Sequence, residues 1–418
     1  MQTDTLALLR CPYCGGPLSL VESLFNERTA ATIDNGVLGC HCCLFPVVDG
    51  IPILHLLPDS VKALDQLKAG RADLARRTMF GLDDEAQAAA FDAVASSPTA
   101  TYRDTVEAFG PNFEGGYFLY RFSDPTYLVA QALVRAIGST VLGGSRRAVD
   151  ICGGSGHVTR TLLDLSSAPP VLADLYFAKI WLARRFTAPG CEPVCCDGNA
   201  PMPFARGAFA FAMCTDAFMY IWTKRQFVGE MERLIDTSRA AAQPGAILIG
   251  HTHNERTWSP SHGQPLSPEG YADLFETIEP RVFGELELFG DLVSGAPLDL
   301  SRRDSQQVLD ANPALAIVAS RDARVFTRHQ SPAPAAPAGE LRLNPLYAVT
   351  AEGDRLRLRL TFPDKEYEDE YGACRRYLPE ELTLDADAIA AMEAGRVSGE
   401  LADLLRRKVI VDLPKRYY

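Results

Sequence analysis

Hydrophobic and polar positions change their spacing along the chain, and the changes divide it into regions. Residues 1–58 contain short apolar runs separated by Gly and Pro, which predicts short strands and tight turns. In residues 59–140 the apolar positions recur at helical spacing, most clearly over 127–137. We therefore expect a helical connector after the N-terminal region, and this connector is a candidate lid over a neighbouring site.

Residues 141–330 alternate between segments of strand and helix length. Apolar runs of strand length are separated by helix-length or loop-length segments, which predicts a mostly parallel sheet with crossover connections. The runs lie at residues 148–151, 170–173, 192–195, 209–214 and 246–250. The expected fold class is therefore α/β and Rossmann-like.

The remainder of the chain begins with a linker rich in Pro and Ala at residues 331–339. Residues 340–418 predict a small α+β region, with a hairpin around 352–354 and helices near 386–394 and 401–407. The acidic run at 365–371 is expected to be solvated surface. The pattern assigns this region no role.

Composition narrows the class of protein. With 47% apolar and 22% charged residues the chain resembles an ordinary globular protein, and its net charge of -12 disfavours a nucleic-acid partner. The N-terminus has no basic segment followed by an apolar stretch, and no later run reaches the roughly 18 apolar residues of a membrane span. We expect a cytoplasmic protein that does not enter a membrane.

Four of the eleven cysteines form two Cys-x-x-Cys pairs, Cys11 with Cys14 and Cys40 with Cys43. Four thiolates at this spacing suit a structural zinc ion and leave no position for a reactive water. Cys42 is an alternative fourth ligand and His41 is close to it, but the spacing favours Cys43. The simpler alternative is that these residues are buried free thiols.

This N-terminal pattern resembles the zinc-ribbon family that includes the small activator subunit of tRNA, rRNA and release-factor methyltransferases. The resemblance covers the first fifty-odd residues. It is carried by Cys11-Pro12-x-Cys14-x-Gly16-x-Leu18, Cys40-x-x-Cys43 and residues 45–52, FPVVDGIP. It implies a structural or partner-stabilising module fused to the rest of the chain.

A glycine-rich turn follows the first predicted strand of the α/β region. The segment 149–156, VDICGGSG, ends the strand in Asp150 and leads into a helix, an arrangement that brings backbone close to a ligand. Asp174 ends the next apolar run, where a carboxylate can bind the ribose hydroxyls of an adenosine ligand. Asp197 and Gly198 follow the third run, within reach of an adenine ring.

Residues 147–250 resemble the class I methyltransferases, especially the ubiquinone/menaquinone-type branch, through these motifs and through 197–204, 209–221 and 243–246. The resemblance implies S-adenosylmethionine as cofactor, and the acidity of the chain favours a small-molecule acceptor. The resemblance also implies a set of cofactor-binding residues: Asp150, Cys152, Gly153, Gly154, Gly156, Asp174, Leu175, Asp197, Gly198, Cys214 and Asp216. One departure is Cys152, which stands where the family most often has its first glycine.

Three other functions compete with this interpretation. A nicotinamide dehydrogenase would need glycine at positions 152 and 157, which hold Cys152 and His157. An RNA base methyltransferase is an alternative because some bacterial rRNA guanine methyltransferases also carry a zinc module before this fold. A methyltransferase-like scaffold without turnover is the third, and the acids Asp150 and Asp174 could then be ordinary capping or surface groups.

The catalytic candidates are few, since methyl transfer needs positioning and only sometimes a base. His251 and His253 follow a predicted strand and have the chemistry of a general base, whereas the simpler interpretation is loop histidines satisfied by hydrogen bonds. Tyr220 follows the fourth strand. Four residues in the preceding helical region would close over the cofactor or simply pack in the core: Tyr117, Tyr120, Arg121 and Tyr127.

Overall fold

The computed structural model describes all residues except 111–118, 125, 144, 236–242, 260–262, 331–338, 377 and 398. The N-terminal region has one helical turn, α1 (Thr3–Leu6), and an antiparallel sheet of five short strands. The strands are β1 (Ser19–Leu20), β2 (Glu27–Arg28), β3 (Ile33–Gly39), β4 (Leu44–Val48) and β5 (Ile51–Pro52). The loop between β3 and β4 carries the second group of cysteines.

Helices follow, as the spacing of apolar positions predicts. Thr101 and Asp104 form a capping box that starts α5, and Asp84 accepts a hydrogen bond from the first turn of α4. The helices are α2 (Pro58–Lys68), α3 (Ala72–Phe80), α4 (Glu85–Ser96), α5 (Tyr102–Ala108) and α6 (Tyr127–Val141). The apolar face of α6, including Leu133 and Ile137, is buried.

The centre of the molecule is a seven-stranded sheet with helices on both faces. Its order is β11-β13-β10-β9-β6-β7-β8, and the strands from β10 to β8 are parallel. These strands are β6 (Ala148–Ile151), β7 (Val171–Asp174), β8 (Glu192–Cys195), β9 (Phe211–Thr215) and β10 (Ala246–His253). The sheet confirms the predicted Rossmann-like α/β class.

Two strands of this sheet lie outside the predicted runs. β13 (Ala314–Ser320) pairs antiparallel with both β10 and β11 (Pro280–Gly284). The helices of this region are α7 (Thr159–Leu162), α8 (Phe177–Leu182), α9 (Lys224–Leu234), α10 (Pro268–Ala272), α11 (Glu285–Ser294) and α12 (Gln306–Ala311). A small ribbon of β12 (Leu298–Asp299) and β14 (Arg328–His329) completes it.

The C-terminal region contains the predicted hairpin. β16 (Tyr347–Glu352) and β17 (Arg355–Leu360) are joined by a two-residue turn and extended by β18 (Glu381–Leu384). β15 (Glu340–Leu343) pairs instead with β19 (Ile410–Leu413). The helices are α13 (Lys365–Tyr371), α14 (Ala386–Glu393) and α15 (Glu400–Arg406), of which the last two confirm the prediction within one or two residues.

Both ends of the chain pack on the central sheet. Ile53 forms a parallel bridge with Cys195, so the N-terminal region extends the β8 edge. At the other end, Tyr417 is buried, stacks on Tyr102, and its hydroxyl lies 2.8 Å from His157 Nε2. The boundaries at 58, 140 and 330 stay predictions. Among the described residues, no helix combines the length and apolar character needed to cross a membrane.

Candidate functional site

The loop after β6 holds backbone conformations that normally require glycine. Cys152, Gly154 and Gly156 have φ angles of +59°, +53° and +74°. A Cβ atom at Gly153 would lie 2.4 Å from Leu172 Cδ1 and 2.6 Å from Asp150 Cγ, so a side chain does not fit there unless these two side chains move. Cys152 thus adopts a left-handed backbone conformation that glycine adopts more readily, at a cost of about 1–2 kcal/mol.

Asp174 is fixed at the end of β7 by this loop. Its Oδ2 accepts from the Gly154 N–H over 2.9 Å and its Oδ1 from the Tyr176 N–H over 2.9 Å. Burial raises the pKa of this carboxyl, while the backbone N–H groups act in the opposite direction. Each carboxylate oxygen has a second lone pair, so the group can still accept from a ligand hydroxyl.

Asp150 is fully buried at the end of β6. Thr159 donates to its Oδ2 over 2.6 Å, and its Oδ1 has no hydrogen-bond partner among the described residues. Burial, assisted by the charge of Asp174, raises the pKa of Asp150 to about 7. A buried acceptor without a partner is costly, and a ligand cation or N–H donor would satisfy it.

The remaining predicted cofactor residues lie along the same edge of the sheet. Asp197 Oδ1 accepts from the Asn199 N–H over 2.8 Å, and a Cβ at Gly198 would approach Cys152 Sγ to 3.1 Å. The carbonyl of Leu175 accepts from the Cys195 thiol over 3.1 Å. Cys214 is fully buried in β9. The ends of β8, β7, β6 and β9 therefore form one continuous row.

A second group of polar residues continues this row at β9 and β10. Arg121 Nη1 lies 2.8 Å from Asp216 Oδ2 and 2.9 Å from Asp124 Oδ2, and all three side chains are buried or nearly so. His251 Nε2 lies 4.0 Å from Asp216 Oδ1. Since β6 and β10 flank β9, the two halves of the edge are about 10 Å apart.

His251 is held by a buried carboxylate. Glu285 Oε2 lies 2.7 Å from His251 Nδ1, and Glu285 Oε1 accepts from the His251 N–H over 2.6 Å. Burial alone would lower the pKa of His251, but Glu285 and Asp216 outweigh it and raise the pKa to about 9. The raised pKa favours the protonated ring in the absence of a ligand, which is unfavourable for the predicted general base.

The two histidines do not follow β10, as the sequence suggested, but form its last residues. The pairing with β13 shifts register between Ile249 and Thr252, and His251 has a φ of +46°. Such a bulge bends a strand and redirects its side chains. As a result the rings of His251 and His253 lie at the site edge, with centroids 5.9 Å apart.

Two site residues carry no sequence signal of their own. Glu285 is the first residue of α11, and Glu370 lies in α13 with Oε1 3.6 Å from His253 Nε2. The acidic run 365–371 is therefore not only solvated surface, because Tyr367 and Tyr371 are buried and Tyr371 lies parallel to His251 at 6.0 Å. Only tertiary packing brings these groups together.

Other predicted residues lie apart from this cluster. Tyr220 occupies a 3-10 turn, is 51% exposed, and is not among the described residues that line the cleft around the histidines. Tyr127 is buried and donates to the His157 carbonyl over 2.8 Å, which is core packing. Tyr120 packs at the core edge, 6.2 Å from Tyr367. Tyr117 lies outside the described residues.

The N-terminal cysteines converge with one change from the prediction. The group that could hold a metal is Cys11, Cys14, Cys40 and Cys42, rather than Cys43. Three Sγ–Sγ distances are 3.7 Å (Cys11–Cys42), 3.7 Å (Cys14–Cys40) and 3.6 Å (Cys40–Cys42). Cys43 adjoins β4 and packs against the core, and its Sγ lies 3.3 Å from Cys42 Sγ.

Comparisons with known proteins give structural likeness only. No family model and no curated protein matches this sequence. A SAM-dependent methyltransferase from Aquifex aeolicus is 12% identical, with a TM-score of 0.34, covering 49% of this chain and 97% of its own. Geranyl diphosphate C-methyltransferase from Streptomyces coelicolor is 15% identical, with a TM-score of 0.34, covering 55% and 84%.

A chain from the complex between the Haloferax volcanii Trm112 methyltransferase activator and a methyltransferase is also similar. It is 16% identical, with a TM-score of 0.32, and the match covers 45% of this chain and 88% of that chain. Because these values are low, the assignment of the fold rests on this chain's own sheet. Its strand order defines a Rossmann-like α/β fold, in which β13 runs antiparallel to the other strands of the sheet.

Proposed function

We propose that this protein is an S-adenosylmethionine-dependent methyltransferase that acts on a small-molecule acceptor. The observation that carries the proposal is the row of three acids, Asp150, Asp174 and Asp197, at the carboxyl ends of three adjacent parallel strands. In open α/β sheets ligands bind at this edge. The glycine-rich loop beside the acids lets a ligand approach the backbone.

The carboxylates along this edge match the hydrogen-bond donors of the cofactor. The orphaned Oδ1 of Asp150 is a buried acceptor suited to an ammonium group, and the fixed carboxylate of Asp174 suits a pair of ribose hydroxyls. Asp197 would accept from an adenine amino group. When bound, the cofactor supplies a methyl group activated on a sulfonium.

The residues of the chain then bind and orient the reactants. Asp216 follows β9, one strand from Asp150, and the two histidines lie in β10, two strands from it, on the side where an acceptor would meet the methyl group. The cleft next to them is lined by α11 and α13 as well as β10. Because Glu370 and Tyr371 of α13 line this cleft, the C-terminal region would contact the acceptor.

We also assign the N-terminal thiols a structural zinc ion. A tetrahedral site with Zn–S bonds of about 2.3 Å has S–S edges of about 3.8 Å, close to the observed 3.6–3.7 Å. The ion would support β8 through the Ile53 bridge to Cys195. None of the eleven cysteines, all of which lie among the described residues, forms a disulfide, which supports a reducing compartment such as the cytoplasm.

The likeness to the ubiquinone/menaquinone branch and to the activator subunit stays a prediction. The proposal is tested by calorimetric titration of the zinc-loaded protein with S-adenosylmethionine and S-adenosylhomocysteine. We expect micromolar binding of both. If neither ligand binds the wild-type protein, the proposal is wrong.

Two variants locate the binding. In Asp174→Asn, hydrogen bonds from two ribose hydroxyls would go to a neutral amide, a loss of about 2 kcal/mol or roughly 30-fold in affinity. Asp354→Asn, in the exposed hairpin turn, is the matched control and should bind normally. Unfolding temperatures measured alongside separate lost binding from lost folding. Equal affinities of the two variants would contradict the assignment of the ribose site.

A further inference from the structure

Four side chains from three separate elements converge at the edge of the cleft. They are Asp216 after β9, His251 and His253 in β10, and Glu370 in α13. One ligand atom of each lies within 4.8 Å of those of the other three. Two imidazoles and two carboxylates are a donor set that divalent first-row transition metals accept.

The spacing of these atoms is that of ligands around an ion rather than of hydrogen-bonded partners. His251 Nε2 lies 4.0 Å from Asp216 Oδ1, and His253 Nε2 lies 3.6 Å from Glu370 Oε1. Both distances exceed hydrogen-bond length. With metal–ligand bonds of about 2.1 Å, neighbouring ligand atoms are about 3.0–3.4 Å apart and opposite ones about 4.2 Å, so small movements would complete the site.

The Nδ1 atom of each histidine ring already has a polar partner, which fixes the orientation of the ring. His251 Nδ1 pairs with Glu285 over 2.7 Å, and His253 Nδ1 lies 3.0 Å from Ser259 Oγ. Metal-binding histidines almost always carry such a partner, because it fixes the ring and turns the other nitrogen to the ion. The two Nε2 atoms therefore both face the gap between the four groups.

Strained backbone conformations and several charged side chains occur at this cluster. Asp216 and His251 have φ angles of +54° and +46°, conformations that cost energy in residues other than glycine and that gather at functional sites. The acids Asp124, Asp216, Glu285 and Glu370 surround the histidines, while Arg121 pairs with the first two. Arg121 pairs with Oδ2 of Asp216, and Oδ1 of Asp216 faces His251.

We propose that Asp216, His251, His253 and Glu370 bind a divalent first-row transition-metal ion in addition to the zinc of the cysteine site. An ion with six ligands would keep two positions for water or for an oxygen atom of a cleft ligand. Its binding joins α13 to β9 and β10, which gives the C-terminal region a role in the site. The inference stands apart from methyl transfer, because metal binding is measured without any nucleoside.

Mn²⁺ is the probe, since thiolate sites select softer ions and will not compete for it. Free Mn²⁺ is counted by electron paramagnetic resonance during titration of the full-length protein. We expect one site with a dissociation constant on the order of 10 µM. Competition by Zn²⁺ should release the bound Mn²⁺, and zinc analysis should then give one ion more per chain than before.

Two ligand variants and one matched control carry the test. Glu370→Gln and His253→Gln should each weaken Mn²⁺ binding at least ~10-fold, the loss expected even for an outer-shell partner. Asp369→Asn removes the neighbouring acid of the same cleft, which pairs with Lys365, and should change affinity less than about threefold. Thermal unfolding of all three variants shows whether they fold.

Either of two results overturns the proposal. The first is a wild-type protein that binds no Mn²⁺ and no zinc beyond the cysteine site. The second is equal weakening by Glu370→Gln and Asp369→Asn, which would show diffuse attraction to an acidic cleft. If one ligand variant does not fold, the other decides between specific binding and none.

Discussion

Replacing Cys42 or Cys43 by serine separates the proposed zinc site, which has Cys42 as its fourth ligand, from the one that sequence spacing favours. The S–S distances of 3.6 and 3.7 Å that place Cys42 in the site match the tetrahedral edge of about 3.8 Å. Serine is a poor zinc ligand, so we expect Cys42→Ser to lose affinity by about a thousandfold, or about 4 kcal/mol. Cys43→Ser should keep the ion.

The assay is the zinc content of each purified variant after dialysis against a competing chelator. Wild type and Cys43→Ser should retain zinc at the cysteine site, and Cys42→Ser should lose it. Cys43→Ser exchanges a thiol packed against the core for a hydroxyl, which costs about 1 kcal/mol of stability without affecting the ion. Loss of zinc from Cys43→Ser with retention in Cys42→Ser would refute the assignment.

Three further predictions follow from buried groups. Burial raises the pKa of Asp150 from its usual 3.8 to about 7, so the folded state binds more protons than the unfolded chain between these values. Wild-type stability should therefore fall as pH rises from about 4 to 7. Asp150→Asn has no carboxyl to titrate at this position, so urea unfolding should show its stability rising relative to wild type by up to about 4 kcal/mol over this pH range. Gly153→Ala should lose about 1–3 kcal/mol through its clash with the side chains of Leu172 and Asp150. Gly229→Ala, in open space on α9, should be neutral or stabilising by up to about 1 kcal/mol in the same unfolding assay. Glu285→Gln should weaken Mn²⁺ binding about 10- to 100-fold in the resonance titration, since it orients His251; unchanged affinity would contradict that role.

Local patterns are sufficient for the parallel part of the sheet and for the glycine-rich loop. The runs ending at Asp150 and Asp174 are short, apolar and bounded by turn residues, so their strand character is encoded within a few residues. The fourth ligand of the proposed zinc site cannot be predicted from local pattern in this way. Whether Cys42 or Cys43 turns inward depends on where β4 begins, and spacing alone cannot fix that boundary.

The histidine cluster needs contacts that are distant in sequence. Glu285 meets His251 across 34 residues, and Glu370 reaches His253 from a region whose acidic run has the pattern of solvated surface. The bulge at His251 is a further reason, because a one-residue irregularity in pairing leaves no trace in hydrophobic periodicity. Side-chain chemistry suggested the histidines, but their partners come from tertiary packing.

The central claim is that the row of acids at the sheet edge binds the adenosyl cofactor. A crystal structure of the protein with S-adenosylhomocysteine tests it most directly. The account predicts both ribose hydroxyls within about 3 Å of the Asp174 carboxylate, with the amino group of the ligand directed to Asp150 Oδ1. A nucleoside bound elsewhere, or bound at this edge without contact to Asp174, would contradict it.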